Sequence, residues 1–303
     1  MPKERYLVKN FTHKTELLIA QANDIIEEYT AQGFSLTLRQ LYYQFVSRDI
    51  IPNNMRAYKR LGEHVNNGRM AGLIDWDGII DRTRNLAALD HWGRPSEVLE
   101  SAWQRYLEDK WAGQKHRVEV WIEKDALVGL IDGVCSRLQV PYFSCRGYTS
   151  QSEMWAASKR FRTYHEAGQI PIIIHLGDHD PSGMHMTQDI ANRLGLFMYV
   201  DTLFPVQRIA LNMDQIELYK PPPNPAKLTD NRAKAYVAEF GSSSWELDAL
   251  EPQVVADLIS DAVMGLRDDE AWNAACVAEA TNRAKLEKHY NIRRRMENDG
   301  RQY

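Results

Sequence analysis

Two apolar segments in the middle of the chain have the pattern of buried β-strands, and each of them leads to a carboxylate. Val118, Val120 and Ile122 alternate with other residues before Glu123. A second, continuous apolar run ends at residue 176, two positions before an Asp. A continuous apolar run is typical of a strand that is buried on both faces of a parallel sheet. The pattern therefore predicts two parallel strands that end at acidic side chains.

Further strands and helices are predicted in alternation around these two segments. The pattern predicts helices over 124–138, 150–167 and 182–194, strands over 140–145 and 197–202, and C-terminal helices over 242–267 and 271–297. Strands that alternate with helices indicate a doubly wound parallel sheet, so we expect an α/β fold with a helical C-terminal region. The sequence after about residue 205 carries little functional signal.

Three amphipathic helices are predicted before the sheet. The first covers residues 13–31, and either Ser35 or Thr37 can cap the second. The third has an inward apolar face, made of Met55, Tyr58, Leu61 and Val65. Its outward face is basic and carries Arg56, Lys59 and Arg60. Two helices joined by a short turn, the second one basic on its open face, indicate a helix-turn-helix. Residues 68–84 are expected to add a hairpin or wing, and a small helical bundle without a ligand is the alternative.

These elements divide the chain into three predicted parts. Residues 1–94 form a winged-helix domain, and residues 95–116 form a helical connector. Residues 117–303 form the sheet domain together with its C-terminal helical extension.

Composition and charge limit the class of protein. The 303 residues suffice for one large or two ordinary domains, and none of the apolar runs approaches the roughly 20 residues that span a bilayer. We therefore expect no membrane association and a cytoplasmic protein, which is nucleoid-associated if the source is bacterial. The three cysteines are widely spaced and fit a reducing compartment. The net charge of −4 argues mildly against a general nucleic-acid binder, but basic residues cluster locally, as at Arg82 and Arg84 and near the C-terminus as far as Arg301.

Carboxylates at the ends of the two strands predict a metal site. Ligands of open α/β sheets lie outside the carboxyl ends of the strands. Glu123, Asp178 and Asp180 would share one rim if the two strands are neighbours, and Asp178 and Asp180 point the same way in extended backbone. Three clustered carboxylates repel one another, and a divalent cation removes that repulsion. Mg²⁺ is the usual choice for carboxylate oxygens, and Mn²⁺ is a substitute.

A tyrosine in the second helix is the candidate nucleophile. Arg39 and Tyr43 are four residues apart and share one helix face, whereas Tyr42 is rotated from Tyr43 by about 100°. A tyrosine hydroxyl has a reference pKa near ~10 and needs a group that stabilises its developing charge. A guanidinium one turn away can do this, and it can also hold a phosphate. Packing alone is the alternative explanation for the tyrosine pair.

The strand-end motifs resemble the Toprim domain, the metal-binding module of topoisomerases, bacterial primases and some nucleases. That family has a Glu after one strand and Asp-x-Asp after a later strand, often followed by Pro-x-Gly. Glu123 and the Asp-His-Asp-Pro-Ser-Gly sequence at residues 178–183 match this pattern position by position.

The order of all the motifs is similar to that of topoisomerase VI A subunits and the related meiotic double-strand-break proteins. Those proteins have a winged helix with Arg-x-x-aromatic-Tyr, then the Glu, then Asp-x-Asp. The resemblance covers about residues 35–200, and the chain is most similar to the compact mini-A relatives found in bacteria, phages and mobile elements. It departs from the family at Gln40, where Asp is frequent, and at residues 147–150, where Gly-Tyr-Thr-Ser replaces Gly-Tyr-Pro-Asp.

The resemblance implies an activity and a role for each candidate residue. It implies Mg²⁺-dependent cleavage of double-stranded DNA by transesterification, in which Tyr43 becomes linked to a 5′-phosphate and Arg39 stabilises the transition state. Rejoining of the cut strands is left open. Metal binding falls to Glu123, Asp178 and Asp180. Contacts to DNA phosphates fall to Arg56, Lys59, Arg60 and Lys124, although Lys124 can equally be a surface lysine.

The resemblance also implies partners. Since nothing in the sequence brings Tyr43 to the carboxylates within one chain, we expect a homodimer in which each Tyr43 reaches the metal site of the other chain. The segment before the tyrosine motif is short compared with true A subunits, where it helps to engage the ATPase subunit. An ATPase partner of the B type is therefore left open.

Three other functions are compatible with these residues. The first is a hydrolytic Toprim nuclease in which Tyr43 is structural. The second is a catalytically silent DNA-binding protein. The third is an unrelated metallohydrolase that uses His175, Asp178, His179 and His185, although packed or exposed histidines are the better interpretation of that group.

Overall fold

The sheet consists of four parallel strands in a computed structural model that describes residues 3–80, 89–198, 203–226 and 232–299. The strands are β1 (His116–Ile122), β2 (Tyr142–Ser144), β3 (Ile170–Leu176) and β4 (Val206–Ala210). Their order is β2-β1-β3-β4, and all three pairs are parallel. The predicted α/β class is thereby confirmed.

Strands β1 and β3 are neighbours over their whole length. Their pairing ends at Ile122 opposite Leu176, and the Glu123 amide donates to the Leu176 carbonyl at 2.9 Å. The residues that follow both strands therefore leave the sheet at the same level. The condition for a shared carboxylate rim is met.

Helices cover both faces of the sheet. The helices of this region are α5 (Val128–Leu138), α6 (Gln151–Glu166), α7 (Pro181–Met198), α8 (Met213–Tyr219), α9 (Ala233–Phe240) and α10 (Pro252–Met264). A short 3₁₀ turn, Asp125–Leu127, precedes α5. Helices α5 and α10 pack on the face that carries Val118, Val120 and Ile122. Helices α6 and α7 pack on the opposite face around Trp121, so alternate residues of β1 serve two cores.

Two predicted elements are wrong. The strand predicted over 197–202 falls partly on the end of α7, while residues 199–202 lie outside the described part of the chain. The fourth strand is Val206–Ala210 instead. The helix predicted over 242–267 begins only at Pro252. Before it come the short strand β6 (Ser243–Ser244), which pairs with β5 (Asn224–Pro225), and a 3₁₀ turn at Leu247–Ala249, because these residues pack between other elements.

The three N-terminal helices are α1 (His13–Ala31), α2 (Leu38–Ser47) and α3 (Met55–Met70), and they share one core. Thr12, Thr37 and Asn54 cap them in turn. Leu61 and Val65 are buried as predicted, and Arg56, Lys59 and Arg60 are exposed. Met55 is 63% exposed, which corrects the inward placement, because the first turn of α3 borders an open cavity.

The predicted wing is only partly within the described residues. Residues 68–70 still belong to α3, and Ala71 and Ile79 form isolated bridges with Arg5 and Leu36. Residues 81–88, which include Arg82 and Arg84, lie outside the described part, and so does Arg301. The winged-helix assignment therefore stays a prediction.

The connector and the C-terminus pack together. Helix α4 (Pro95–Arg105) lies along α11 (Asp269–Asp299), where the Ser96 hydroxyl and Glu297 carboxylate form a hydrogen bond. Trp111 is buried in the core of the sheet, in keeping with a packing role for the connector aromatics. Among the described helices, α11 included, not one combines the length and the apolar character that a membrane span needs.

One C-terminal segment joins the N-terminal helices to the sheet. The 3₁₀ turn Leu247–Ala249 packs against α2, and Ala249 belongs to the N-terminal core. Tyr29 of α1 donates to the carboxylate of Glu251. The N-terminal helices are thus held by residues that lie about 200 positions later in the chain.

Gly183, in the first turn of α7, supports a stability prediction. A Cβ there would lie 2.3 Å from the Asp178 carbonyl oxygen, whereas a Cβ at Gly133, on the exposed face of α5, meets nothing within 4 Å. We expect Gly183→Ala to lower the free energy of unfolding by about 1–3 kcal/mol because backbone must shift. Gly133→Ala, the matched control, should raise it by about 0.4–1 kcal/mol. Urea denaturation measures both, and equal effects would contradict the close approach at Gly183.

Candidate active site

The three strand-end carboxylates lie at one rim of the sheet, and each accepts a backbone hydrogen bond. Glu123 Oε2 accepts from the Asp178 amide at 2.8 Å, and Asp178 Oδ1 accepts from the Leu247 amide at 2.8 Å. Asp180 Oδ1 accepts from the Gly183 amide at 2.6 Å in the first turn of α7. The rim is therefore built from both strand ends, a helix start and the C-terminal 3₁₀ turn.

Burial and mutual repulsion raise the affinity of this rim for positive charge. Burial raises the pKa of Glu123, and the charge of Asp180 adds to the effect. The pKa of Asp178 rises to about 7, chiefly through burial and also through Glu123 and Asp248, although Lys124 opposes the shift. A cation placed among these groups would relieve both causes.

Two glycines make room for the Glu123 carboxylate. A Cβ at Gly177 would lie 2.9 Å from Glu123 Oε2, and one at Gly183 would lie 3.1 Å from it. Any larger residue at either position would push the carboxylate from its place. The glycine of the Asp-x-Asp-Pro-x-Gly motif thus has a steric role here.

Arg208 of β4 fixes the loop that carries Asp178. Its guanidinium donates to the carbonyls of Gly177 at 3.0 Å, Asp178 at 2.7 Å and Leu211 at 3.1 Å, and also to the Gly183 carbonyl at 3.1 Å. Burial lowers its pKa to about 10, against the attraction of the rim carboxylates. Through these hydrogen bonds, Arg208 positions the loop that carries Asp178.

Lys124 lies inside the site rather than on the surface. Its ammonium is 3.0 Å from Asp178 Oδ2, 2.8 Å from Glu246 Oε2 and 3.0 Å from Asp248 Oδ1, and its side chain is only 20% exposed. Burial alone would lower its pKa, but Asp248, Asp178 and Glu246 outweigh burial and raise it. Lys124 is a fixed cation, and the alternative of a surface lysine is wrong.

The same acidic side chains hold Arg39. Arg39 Nε donates to Asp248 Oδ2 at 2.8 Å, and its Nη2 forms an ion pair with Glu246. That same Nη2 is 3.4 Å from the Tyr43 hydroxyl. We call residues 246–248 the acidic loop. Tyr43 is thus connected to Asp178 within one chain, through Arg39, the acidic loop and Lys124.

This connection removes the reason for expecting an active site that is shared between two chains. The sequence offered nothing to bring Tyr43 and the carboxylates together within one chain. The fold does so, because α2 packs against the acidic loop. Dimerisation itself stays a prediction.

Tyr43 is buried and protonated in this arrangement. The residue is 3% exposed, and burial raises its pKa, with further increases from Asp248 and Glu246 that outweigh Arg39. The phenol borders a cavity of about 160 Å³, which is lined by Arg39, Tyr42, Tyr43, Asn53, Asn54, Met55, Tyr58, Asn224 and Glu246. Tyr42 uses its hydroxyl structurally, because it donates to Asn53 Oδ1 at 2.9 Å. Of the two tyrosines, Tyr43 is the one beside the arginine.

The two rim histidines are packed, as expected. His175 is fully buried, its Nδ1 lies 2.9 Å from the Thr187 hydroxyl, and burial lowers its pKa to about 3. His179 Nδ1 lies 2.7 Å from the Tyr236 hydroxyl, and burial lowers its pKa to about 4. His185 contacts Tyr148 instead, at 2.8 Å. These separate partners do not favour the histidine-based metallohydrolase.

The donor chemistry of the site suits a hard divalent cation. Five carboxylates face three cations, namely Glu123, Asp178, Asp180, Glu246 and Asp248 against Arg39, Lys124 and Arg208. Two negative charges are left over when all eight groups are ionised, and oxygen ligands are those that Mg²⁺ prefers. As the side chains stand, no three His, Cys, Asp or Glu within the described ranges are arranged to hold a metal. The residues fit Mg²⁺ in their chemistry and charge. Their oxygens, however, accept hydrogen bonds from within the protein.

Sequence reasoning missed Arg208, Glu246 and Asp248. The spacing of Glu246 and Asp248 repeats that of Asp178 and Asp180, two acids separated by one residue. That spacing is the signal that could have drawn attention to them. The predicted phosphate contacts Arg56, Lys59 and Arg60 are exposed on α3, whereas Lys124 lies among the carboxylates of the site.

Comparison with known proteins gives no family assignment. A scan of the chain against protein-family models and a search of curated proteins found no match. The resemblance to topoisomerase VI A subunits therefore depends on the motifs described above.

The raised pKa of Asp178 leads to a pH prediction. A folded-state pKa of about 7, above the reference value near 4, means that the folded chain binds this proton more tightly than the unfolded chain. The resulting stability is complete below about pH 4 and is lost as the pH rises through about 7. Asp178→Asn mimics the protonated form and does not lose this stability. Between about pH 4 and pH 7, its free energy of unfolding should therefore rise by a few kcal/mol relative to that of the wild type, since one pKa unit corresponds to about 1.4 kcal/mol.

Urea denaturation in EDTA at several pH values measures this difference. Asp24→Asn, the same substitution at an exposed position of α1, is the control. Parallel curves for the wild type and Asp178→Asn would contradict the burial of a charged Asp178.

Proposed function

We propose that this chain cleaves double-stranded DNA by tyrosine transesterification, in the manner of a topoisomerase VI A subunit, and forms a 5′-phosphotyrosyl link. One observation carries the proposal: Tyr43, its neighbour Arg39 and the strand-end carboxylates are joined within one chain through Lys124 and the acidic loop. A nucleophile, a guanidinium and a carboxylate rim are the parts that this reaction needs.

Each residue has a chemical role in the proposed step. The Tyr43 oxygen forms a bond to phosphorus while the bond from phosphorus to the 3′ oxygen breaks. The phenol proton leaves for a base, and the departing 3′ oxygen gains a proton. Arg39 stabilises the charge on the phosphoryl oxygens. The number of phosphoester bonds is conserved, so the step is reversible in principle.

Metal binding belongs to Glu123, Asp178 and Asp180 in this proposal. Mg²⁺, when bound, supplies charge neutralisation at the phosphate and at the leaving oxygen. The chain's own contribution is to keep the rim in place, through Arg208 beneath the loop and the glycines beside Glu123.

The N-terminal helices serve DNA binding in this proposal. The N-terminal helices belong to a winged-helix domain in this proposal, and the exposed basic face of α3, with Arg56, Lys59 and Arg60, contacts phosphates. A homodimer places two such sites on one duplex, one for each strand. An ATPase partner and rejoining of the strands are left open.

A catalytically silent DNA-binding protein is the second candidate, and one observation favours it. The acidic loop occupies Arg39 and Lys124, the cations that a phosphate would need, and the Tyr43 pKa is raised. Cleavage therefore requires a phosphate to displace Glu246 and Asp248. A hydrolytic nuclease is distinguished from both by cutting without a covalent link.

The nucleophile is tested with supercoiled plasmid and Mg²⁺, followed by denaturant and protease. We expect wild-type protein to yield cut DNA with covalently attached protein, and Tyr43→Phe to yield no adduct while it still binds DNA. Tyr42→Phe, the matched control, should retain the adduct, because its hydroxyl is bonded to Asn53. EDTA should abolish cutting. An adduct that survives Tyr43→Phe would contradict the assignment, and cutting without any adduct would favour the hydrolytic nuclease.

The location of the site is tested by mixing two inactive variants. Tyr43→Phe and Asp178→Asn chains are allowed to exchange, and mass measurement verifies that heterodimers form. Because Tyr43 and Asp178 are joined within one chain, we expect the mixture to be as inactive as its parents. Nicked DNA from the mixture would show instead that each site is shared between two chains.

A further inference from the structure

A second cavity, of about 250 Å³, opens between α1 and α3. Its floor is apolar and consists of Leu18, Ile50, Ile51, Pro52, Ala57 and Leu61. Its polar lining includes Lys14 of α1, Arg56 and Arg60 of α3, and His64. The volume lies just below the roughly 300–1,000 Å³ of sites for drug-sized ligands, so it suits a ligand the size of one nucleotide unit.

The cations of this cavity have no ion-pair partner among the residues that the structure describes. Lys14, Arg56 and Arg60 are exposed, and within the part of the chain that the structure describes none of them forms an ion pair or a side-chain hydrogen bond. His64 Nε2 is buried and has no hydrogen-bond partner there. By contrast, Arg39 and Lys124 are fully engaged by carboxylates. A ligand for this cavity should therefore be an anion with an apolar part.

The cavity adjoins the one beside Tyr43. Asn54, which caps α3, lines both of them. A strand of DNA whose scissile phosphate lies at Tyr43 would continue across Asn54 into the space between α1 and α3. The positive charge and this continuity both favour the DNA backbone as the occupant.

We propose that this cavity is a DNA-binding subsite. In it, Lys14, Arg56 and Arg60 bind one backbone phosphate, and the apolar floor contacts the adjoining sugar. The inference rests on the proposed function, and it adds Lys14 to the DNA-binding residues. The subsite does not include Lys59, which is exposed on the same helix but does not line the cavity.

The test is the salt dependence of binding between full-length protein and a short labelled duplex, measured by fluorescence anisotropy without metal. The loss of one phosphate contact lowers the slope of log Kd against log salt by about 1. We expect Lys14→Gln and Arg60→Gln each to weaken binding, and the double variant, which removes two of the three cations on the same phosphate, to lower the slope by about 1. Lys115→Gln is the matched control, because Lys115 is exposed directly before β1, at the end of the strand opposite the carboxylate rim, and it should leave the slope unchanged.

A second variant tests the floor without a change of charge. Ala57→Leu places a larger side chain in the cavity at a helical position that Leu tolerates well. We expect weaker DNA binding with an unchanged salt slope. Circular dichroism verifies that each variant is folded, and excess inorganic phosphate, added to the wild type at constant ionic strength, tests whether the cavity takes free phosphate instead.

Each outcome decides the inference. Equal slopes for the Lys14→Gln/Arg60→Gln double variant and the wild type would overturn the subsite while the proposed function stands, and so would an equal effect of Lys115→Gln. Strong competition by inorganic phosphate would overturn the sugar contact. The expected slopes in a protein that forms no covalent adduct would support the subsite and overturn the cleavage function. A wild type that does not bind DNA would overturn both.

Discussion

One largely buried ammonium group connects the parts of the candidate site. Lys124 follows directly after the Glu123 strand, yet it contacts Asp178 from another strand end and both acids of the acidic loop. Buried carboxylates without a cation are costly, because desolvation and mutual repulsion both oppose their charge. The acidic loop in turn binds Arg39 and packs against α2. Lys124 therefore links the rim of the sheet to the loop on which the tyrosine helix packs.

The cations of the site face two competing partners. A carboxylate and a phosphate present similar oxygens to a guanidinium, and Arg39 can accommodate either with its planar fork. In the structure the acidic loop supplies those oxygens. Arg39 and Lys124 are consequently paired with carboxylates of their own chain, and the phenol of Tyr43 stays protonated beside them. A substrate must compete with groups that are tethered to the protein, which favours a polyanion with many contacts over a single free phosphate.

Local patterns were sufficient to predict part of this arrangement. The strand ending at Leu176 and the helices around Tyr43 follow from apolar periodicity and capping residues, and the parallel α/β sheet followed from their alternation. Arg208 and the acidic loop could not be predicted in the same way, because their partners are distant in sequence and no local period marks them. Lys124 shows the same limit: the sequence predicted a phosphate contact or, equally, a surface lysine, and only tertiary contacts place it among acids. Met55 was misplaced because periodicity does not reveal where a packed face ends.

The long separation between Arg39 and its partners has a consequence for synthesis. Arg39 lies 209 positions before Asp248 and 207 before Glu246. Helix α2 leaves the ribosome early, and domains generally fold from the N-terminus during translation. Until the acidic loop emerges, the nascent chain carries the tyrosine helix with an unpaired guanidinium and without its contact to the sheet. The surroundings of Tyr43 are thus completed only when more than four-fifths of the chain has been made. A truncated product that ends before the loop therefore contains the candidate nucleophile but lacks its surroundings.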